Sequence, residues 1–294
     1  MTLRAGFIGL GTMGAPMARN LAKAGFPLAI ATRTASKARA LASELPGAKA
    51  FERFSDVGRE SDVLVTCLPD SPEVEAVLFG EAGAAESLSR GAIVIDCSTI
   101  AAEAARAIAA KLSDRGVFLL DAPVSGGQKG AIEGTLTFFV GGDAAALERA
   151  RPVFQALGKR ITHLGPSGAG QLGKATNQIL VAGNLIAVSE ALAFAARVGL
   201  PLPALHEALT GGAANSWAVE VLGKKMIDRD FKPAFAIQHQ QKDLAIVLRT
   251  AREKGVPLPA TALVHQLLSA LEAQGRGGEG TQALLLLYEQ LAKG

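Results

Sequence analysis

Aromatic residues are scarce in this chain. Phe, Trp and Tyr make up 5% of its 294 residues, with one Trp and one Tyr, so Ala, Val, Leu and Ile must do most of the core packing. Cysteine is scarcer still. Cys67 and Cys97 show no CxxC spacing, and each ends an apolar run, VLVTC and IVIDC. That excludes a disulfide framework and reads as two buried, reduced thiols. The four histidines (His163, His206, His239 and His265) are scattered and form no metal-ligand motif. No long basic run occurs, and 30 Lys plus Arg against 27 Asp plus Glu leave a net charge of +3. Nucleic acid is therefore not an expected partner, whereas a mild positive bias suits anionic small molecules. A signal-peptide layout is also missing, because glycines interrupt the apolar run of MTLRAGFIGLGTMG. The most apolar later window, QILVAGNLIAVSEALAFAA, carries Asn184, Ser189 and Glu190, so it reads as a buried helix rather than a membrane span. Together these absences point to a cytoplasmic protein that handles a small molecule.

What is present is a strong alternation in the first half. Apolar runs at 5–10, 28–33, 63–68, 92–97, 117–124 and 135–142, with a further one at 161–165, are strand-like. Alanine-rich stretches with helical spacing, such as 14–25 and 101–116, lie between several of them. Near-continuous apolar strands alternating with helices imply a mostly parallel sheet covered on both faces. The pattern changes at HLGPSGAGQ (163–171). Beyond it no strand is evident. Residues 171–198 read as one long helix, and helical stretches follow at 203–210, 215–228, 236–254, 259–273 and 281–292. The expected layout is thus an α/β domain over 1–165 and an all-helical domain over 166–294, joined by a long helix. Such a long apolar helix often buries a face against a second subunit, so a homodimer or homotetramer is expected.

Gly9, Gly11 and Gly14 in FIGLGTMGAPMARNL form a G-x-G-x-x-G string that follows a strand-like run and opens a helix. In that context the string is the dinucleotide-binding fingerprint of a Rossmann-type domain. Leu10, Thr12 and Met13 complete the turn. The helix start offers free N–H groups to a pyrophosphate. An NAD site would place an acid at the tip of the second strand to hold the ribose 2′-hydroxyl. This chain instead reads LAIATRTASKAR, with Arg33 at the tip and Thr34 and Lys37 nearby. An arginine there pairs with a 2′-phosphate, so NADP is expected ahead of NAD.

In open α/β sheets ligands bind beyond the carboxyl ends of the strands. Leu68–Pro69, Ser98–Thr99 and Ser125–Gly126–Gly127 all fall at such ends. The last group combines a hydroxyl with two small residues whose N–H groups can approach a carboxylate. One placement is awkward. Lys174, followed by Asn177 and Gln178, stands near the start of the long helix, where the helix dipole disfavours a cation.

Five segments taken together resemble the β-hydroxyacid dehydrogenase family, which includes 3-hydroxyisobutyrate dehydrogenases and tartronate semialdehyde (2-hydroxy-3-oxopropionate) reductases. They are GFIGLGTMGAPMARNLAKAG (6–25), DCSTI (96–100), DAPVSGGQKGAIEGTLTFFVGG (121–142), GAGQLGKATNQ (168–178) and KDLAIVL (242–248). The run KATNQILVAGNLIAVSEAL is most similar to the tartronate semialdehyde reductase branch, although 277–284 reads GGEGTQAL where that branch carries an Asp-rich turn.

The resemblance implies that Lys174 is the catalytic acid/base. It implies that Ser125, Gly126 and Gly127 hold the substrate carboxylate, and that Asn177 and Gln178 bind other polar substrate atoms. Thr99 and Lys242 would stand at the nicotinamide end, with Asp243 beside Lys242. Trp217 and Phe235 would be pocket walls, Phe235 towards the cofactor. The awkward lysine then gains a purpose, because dipole and burial both lower an ammonium pKa towards the range where protons are exchanged at neutral pH. Succinic semialdehyde or glyoxylate reduction stays open as an alternative activity. Imine reductases share the fold but generally lack the lysine, and a non-catalytic NADP sensor would have no need of Lys174, Asn177 and Ser125.

Overall fold

Short apolar runs and alanine-rich stretches fold in strict succession. The computed structural model describes residues 3–292. Its first part runs β1 (Ala5–Ile8), α1 (Gly14–Lys23), β2 (Leu28–Ala31), α2 (Ala35–Glu44), β3 (Ala48–Ala50), α3 (Phe54–Arg59), β4 (Val63–Thr66), α4 (Ser71–Phe79), β5 (Ile93–Asp96) and α5 (Ala102–Ser113). It continues with β6 (Phe118–Asp121), β7 (Val124–Ser125), α6 (Gly127–Glu133), β8 (Leu136–Gly142), α7 (Ala144–Leu157) and β9 (Gly158–Gly165). The sheet order is β3-β2-β1-β4-β5-β6, all parallel. β8 then pairs antiparallel with β6 and β7, and β9 lies parallel to β8.

Side chains alternate across a strand, and here the alternation feeds two cores. Phe7, Val63, Val65, Ile93 and Ile95 join Met17, Phe138 and Phe154 on one face. Ile8, Leu64 and Val94 join Val74, Leu78 and Ile108 on the other. Both faces being covered, β1, β2, β4 and β5 are buried along their whole length, which is why they read as unbroken apolar runs. The strand order reverses between β1 and β4, so the crevice at their carboxyl ends is the place for a ligand.

The chain divides into two compact units, one ending at Lys174 and one beginning at Ala175. The second unit is helical. After α8 (Ala169–Arg197), which starts in the first unit, come α9 (Leu202–Thr210), a π-helical segment Ala218–Gly223 continuing into α10 (Lys224–Ile227), α11 (Ile237–Glu253), α12 (Pro259–Ala273) and α13 (Leu284–Leu291). Its core gathers Leu185, Leu192, Met226, Ile237, Leu244, Leu268 and Leu284. Gly199, Gly255 and Gly275 stop helices with φ between 67° and 79°, a left-handed step that glycine takes without a Cβ penalty.

The reading of α8 as a buried helix needs correction. It is long and apolar enough to cross a membrane by length and composition, and 33% of its most apolar window is buried. The sequence is apolar nearly all round, but the chain's own core covers one side only. Leu180 and Phe194 are 64% and 67% exposed. Cys97 is buried as expected, whereas Cys67 is half-buried, and neither is in a disulfide.

Candidate active site

The turn after β1 is shaped by three glycines with three different jobs. Gly9 has φ +105°, and a Cβ there would overlap the Cys67 carbonyl oxygen at the end of β4. At Gly14 a Cβ would overlap the Gly9 carbonyl oxygen and stand 2.9 Å from the Phe7 ring, so α1 rests directly on β1. Gly11 is different. A Cβ there meets nothing within 4 Å, leaving an open cradle where a pyrophosphate can approach the backbone. Leu10 is buried, Met13 half-buried, and Gly11 and Thr12 are exposed. At the tip of β2, Arg33 and Thr34 are exposed. Thr34 occupies the N-cap position of α2 without a side-chain capping bond, and the first turn of α2 carries no acid. That end of the helix is open to an anion.

Beside this cradle a buried polar network ties the strand ends together. Thr66 donates its hydroxyl to Asp96 Oδ1 at 2.8 Å, and Ser98 donates both its backbone N–H and its hydroxyl to the same oxygen. Ser98 Oγ in turn accepts the Leu68 N–H at 2.9 Å. The loops Leu68–Pro69 and Ser98–Thr99 are thereby fixed to one another. Burial pushes the Asp96 carboxyl up to about 6, against the opposing effect of its hydroxyl donors.

A second acid, Asp121, is aligned with Asp96 across the β5–β6 pair. Its two oxygens accept the backbone N–H groups of Gly168 (2.8 Å) and Gln171 (3.0 Å). A buried carboxylate thus caps the start of α8 from another strand, where it complements the helix dipole. Burial raises its pKa while those N–H groups oppose the rise. Lys174 follows one turn later and is 8% exposed. Ser125 ends β7 half-buried, and Gly126 and Gly127 are exposed with φ +127° and +60°. The Asn20 amide anchors α6, the helix they open, by donating to the Ala131 carbonyl at 2.7 Å.

Within the second unit, Asn177 Nδ2 donates to Gln178 Oε1 at 2.9 Å. Gln178 Nε2 donates to Asp243 Oδ2 at 2.6 Å, and Lys242 Nζ pairs with Asp243 Oδ1 at 3.0 Å.

Residues 4–165 match the family described as the NAD binding domain of 6-phosphogluconate dehydrogenase. Residues 168–288 match that described as the NAD-binding of NADP-dependent 3-hydroxyisobutyrate dehydrogenase. The chain is 43% identical to the 2-hydroxy-3-oxopropionate reductase of Escherichia coli K12, over 99% of this chain and 98% of the relative. It belongs to the β-hydroxyacid dehydrogenase family. Members are NAD(P)-dependent oxidoreductases acting on CH–OH groups. An NAD-dependent L-serine dehydrogenase of Pseudomonas aeruginosa is 40% identical, over 92% of each chain. Among solved structures, the 3-hydroxyisobutyrate dehydrogenase of Salmonella typhimurium superposes with a TM-score of 0.88 at 31% identity, over 97% of this chain and 99% of that one. Psf3 in complex with NADP+ and 2-OPP gives 0.87 at 25% identity, over 98% and 99%.

Against this family background, the first unit holds the glycine turn, Leu68, Pro69, Thr99, Ser125, Gly126, Gly127 and Lys174, while Asn177, Gln178, Lys242 and Asp243 cluster in the second. Gln178 is 2% exposed and its amide is committed to Asn177 and Asp243, which makes it a brace for those neighbours. Trp217, expected as a pocket wall, is 60% exposed. Phe235 is half-buried, its ring 6.2 Å from that of His239. Sequence reasoning missed Asp96, Asp121 and Gln171 as a working set. Their one visible signal is an acid closing an otherwise apolar run, in IVID and FLLD.

The Asp96 carboxyl carries a stability prediction. Its folded pKa of about 6 stands above the ordinary 3.8, so between those values the native state holds a proton that the unfolded chain has released. Native stability contributed by this group therefore falls as pH rises through that window and is flat above it. The full loss is about 3 kcal/mol. Asp96→Asn escapes the loss while keeping an oxygen for Thr66 and Ser98. Urea unfolding at pH 4.5 and pH 7 should show the variant gaining on wild type at the higher pH, and an equal difference at both would contradict this.

Proposed function

We propose that this chain is an NADP-preferring oxidoreductase interconverting a small β-hydroxy acid and its semialdehyde, with tartronate semialdehyde and glycerate as the leading pair. The observation that carries the chemistry is Lys174, a lysine held 8% exposed beside a carboxylate-capped helix start. An ammonium is seldom buried without a task. The substrate choice rests on the 43% identity to the Escherichia coli 2-hydroxy-3-oxopropionate reductase over nearly the whole of both chains.

Residue roles follow from the chemistry each group offers. Reduced nicotinamide, when bound, supplies the hydride. Ser125 Oγ and the N–H groups of Gly126 and Gly127 bind the substrate carboxylate and orient the aldehyde. Lys174 lies within reach of the aldehyde oxygen, stabilises the negative charge growing there and then delivers a proton from Nζ. In the oxidative direction the same nitrogen takes the proton from the alcohol. Asn177 hydrogen-bonds the remaining polar group of the substrate, with Gln178 holding it in place. Thr99 and Lys242 steady the nicotinamide end, Lys242 itself being oriented by Asp243. Phe235 walls the cofactor side and Trp217 the substrate side.

Gly9 to Gly14 cradle the pyrophosphate, flanked by Leu68 and Pro69. Arg33, with Thr34 at the open start of α2, holds the 2′-phosphate of NADP. Charge-assisted bonds of this kind contribute about 1.5–3 kcal/mol. Arg33→Ala should therefore raise the KM for NADPH by roughly ten- to a hundredfold while leaving that for NADH nearly unchanged. Parallel initial rates with the two cofactors check this, and equal effects on both would contradict it.

The L-serine dehydrogenase relative favours one second reading, oxidation of L-serine with NAD. Serine and glycerate both present a carboxylate and a primary alcohol and differ only in the group on the intervening carbon. A panel of tartronate semialdehyde, methylmalonate semialdehyde, succinic semialdehyde and glyoxylate with NADPH, beside glycerate and L-serine with NADP and NAD, separates the two. The first reading predicts the highest kcat/KM for tartronate semialdehyde. A higher value for L-serine with NAD would replace it. We further propose a cytoplasmic homodimer or homotetramer; the exposed apolar residues Leu180 and Phe194 on α8 support the assembly. A single-chain mass by light scattering would contradict the assembly.

A further inference from the structure

We propose that Gln171 is a positioning residue: its side chain clamps the Ser98–Ile100 loop to the first turn of α8 and so fixes the setting of Lys174 relative to Thr99. This rests on the proposed roles of Lys174 as acid/base and Thr99 at the nicotinamide end.

The side chain is 3% exposed and both ends of its amide are in use. Its Oε1 accepts the Ile100 N–H at 3.1 Å, and its Nε2 donates to the Ser98 carbonyl at 2.9 Å. These two partners flank Thr99, so the amide grips the loop on either side of it. The Gln171 backbone N–H donates to Asp121 Oδ2 at 3.0 Å, which ties the same residue to the end of β6. Lys174 lies three residues further along the helix, on the same face and one turn away.

The helix on either side of Gln171 has no slack. A Cβ at Gly170 would overlap the Asp121 carbonyl oxygen and stand 2.5 Å from that of Phe139, and one at Gly173 would overlap Leu164. A Cβ at Gly141 would stand 2.7 and 2.8 Å from the backbone nitrogens of Gly170 and Ala169. With backbone pressed on backbone, the helix start cannot slide to absorb a change in the loop. The clamp also reaches further, because Ser98 is held to Asp96 and accepts the Leu68 N–H. A buried amide with both ends satisfied has few alternative arrangements, and that is what a reaction sensitive to small displacements requires.

Gln171→Met keeps the length of the side chain and removes both bonds. With the carboxylated aldehyde that wild type turns over fastest, kcat is expected to fall ten- to a hundredfold. KM for the aldehyde and the Kd for NADPH should stay within about threefold. The deuterium isotope effect with NADPH labelled at C4 should rise, because a misplaced proton donor makes hydride transfer slower than product release. Gln171→Glu is the conservative partner. Its carboxyl, when protonated, offers one donor and one acceptor to the same two groups, so its kcat relative to wild type should recover as pH falls.

A merely structural role gives a different pattern: fewer NADPH sites per chain, a lower Tm and an unchanged isotope effect. That pattern, or a kcat within twofold of wild type in folded Gln171→Met, would overturn the clamp. Should Gln171→Met fail to fold, Gln171→Glu carries the test, and a kcat ratio to wild type that does not change with pH counts against the proposal. Lys174→Ala run alongside separates the two layers. Its collapse with Gln171→Met fully active sinks the clamp alone, whereas full activity of Lys174→Ala removes the acid/base reading beneath it.

Discussion

Lys174→Ala is expected to lower kcat for aldehyde reduction by about 10²- to 10⁴-fold, the range a positioned general acid contributes. NADPH binding should persist, since the cradle at Gly9–Gly14 and the Arg33 tip lie elsewhere in the sequence. The reasoning is electrostatic. As the aldehyde is reduced its oxygen gains charge, and an ammonium about 3 Å away stabilises that charge in a site poor in water. The proton then moves from Nζ to the oxygen. Asp121 permits the arrangement: its carboxylate takes up the N–H groups of Gly168 and Gln171, which otherwise present the positive end of α8 to a nearby cation. Lys174→Arg sharpens the prediction. A guanidinium keeps the charge but does not release its proton in a protein, so substantial activity in that variant would assign Lys174 to charge stabilisation alone. Titration of NADPH fluorescence beside steady-state rates separates lost binding from lost chemistry.

The second large effect falls at Gly14 and contrasts with its neighbour Gly11. In Gly14→Ala the new Cβ overlaps the Gly9 carbonyl oxygen and crowds the Phe7 ring. Backbone cannot rotate away as a side chain can. The overlap is expected to cost about 2–4 kcal/mol even after the helix propensity of alanine is counted. In Gly11→Ala the Cβ enters open space, so urea unfolding should match wild type. NADPH affinity should nonetheless drop at least about tenfold, because the methyl group fills the approach to the pyrophosphate. The two variants thus separate fold from ligand on one turn. Equal unfolding curves for Gly14→Ala and wild type would show that α1 does not rest on β1 as described.

Much of the architecture was legible because it depends on local pattern. β1, β4 and β5 announce themselves as buried apolar runs, and the glycine spacing after β1 names its ligand class. β3 was not legible. Its three residues, AKA, are half-buried or exposed, so no hydrophobic signal marks them. The antiparallel turn of β8 depends on the short β7 step and Gly126, which periodicity does not report. At the site, Lys174 and Ser125 stand in recognisable strings, but the network that holds them does not. Asp96, Asp121 and Gln171 come together across 25 to 75 positions of sequence: the register of β5 with β6 aligns the two acids, and hydrogen bonds from the start of α8 to Asp121 and Ser98 add Gln171. Exposure of Leu180 and Phe194 escaped for a related reason. Apolar composition says that a helix seeks cover, not how much of it the same chain provides.

At the centre stands the proposed transfer of a hydride from NADPH to the aldehyde carbon of a small carboxylated semialdehyde. Its most direct test is the fate of the label when the enzyme acts on tartronate semialdehyde with NADPH deuterated at both C4 positions. Mass spectrometry of the product should show glycerate carrying a single deuterium on the primary alcohol carbon, with NADP+ formed in equal amount. Unlabelled glycerate, or no consumption of NADPH with any carboxylated aldehyde although the cofactor binds, would contradict the account.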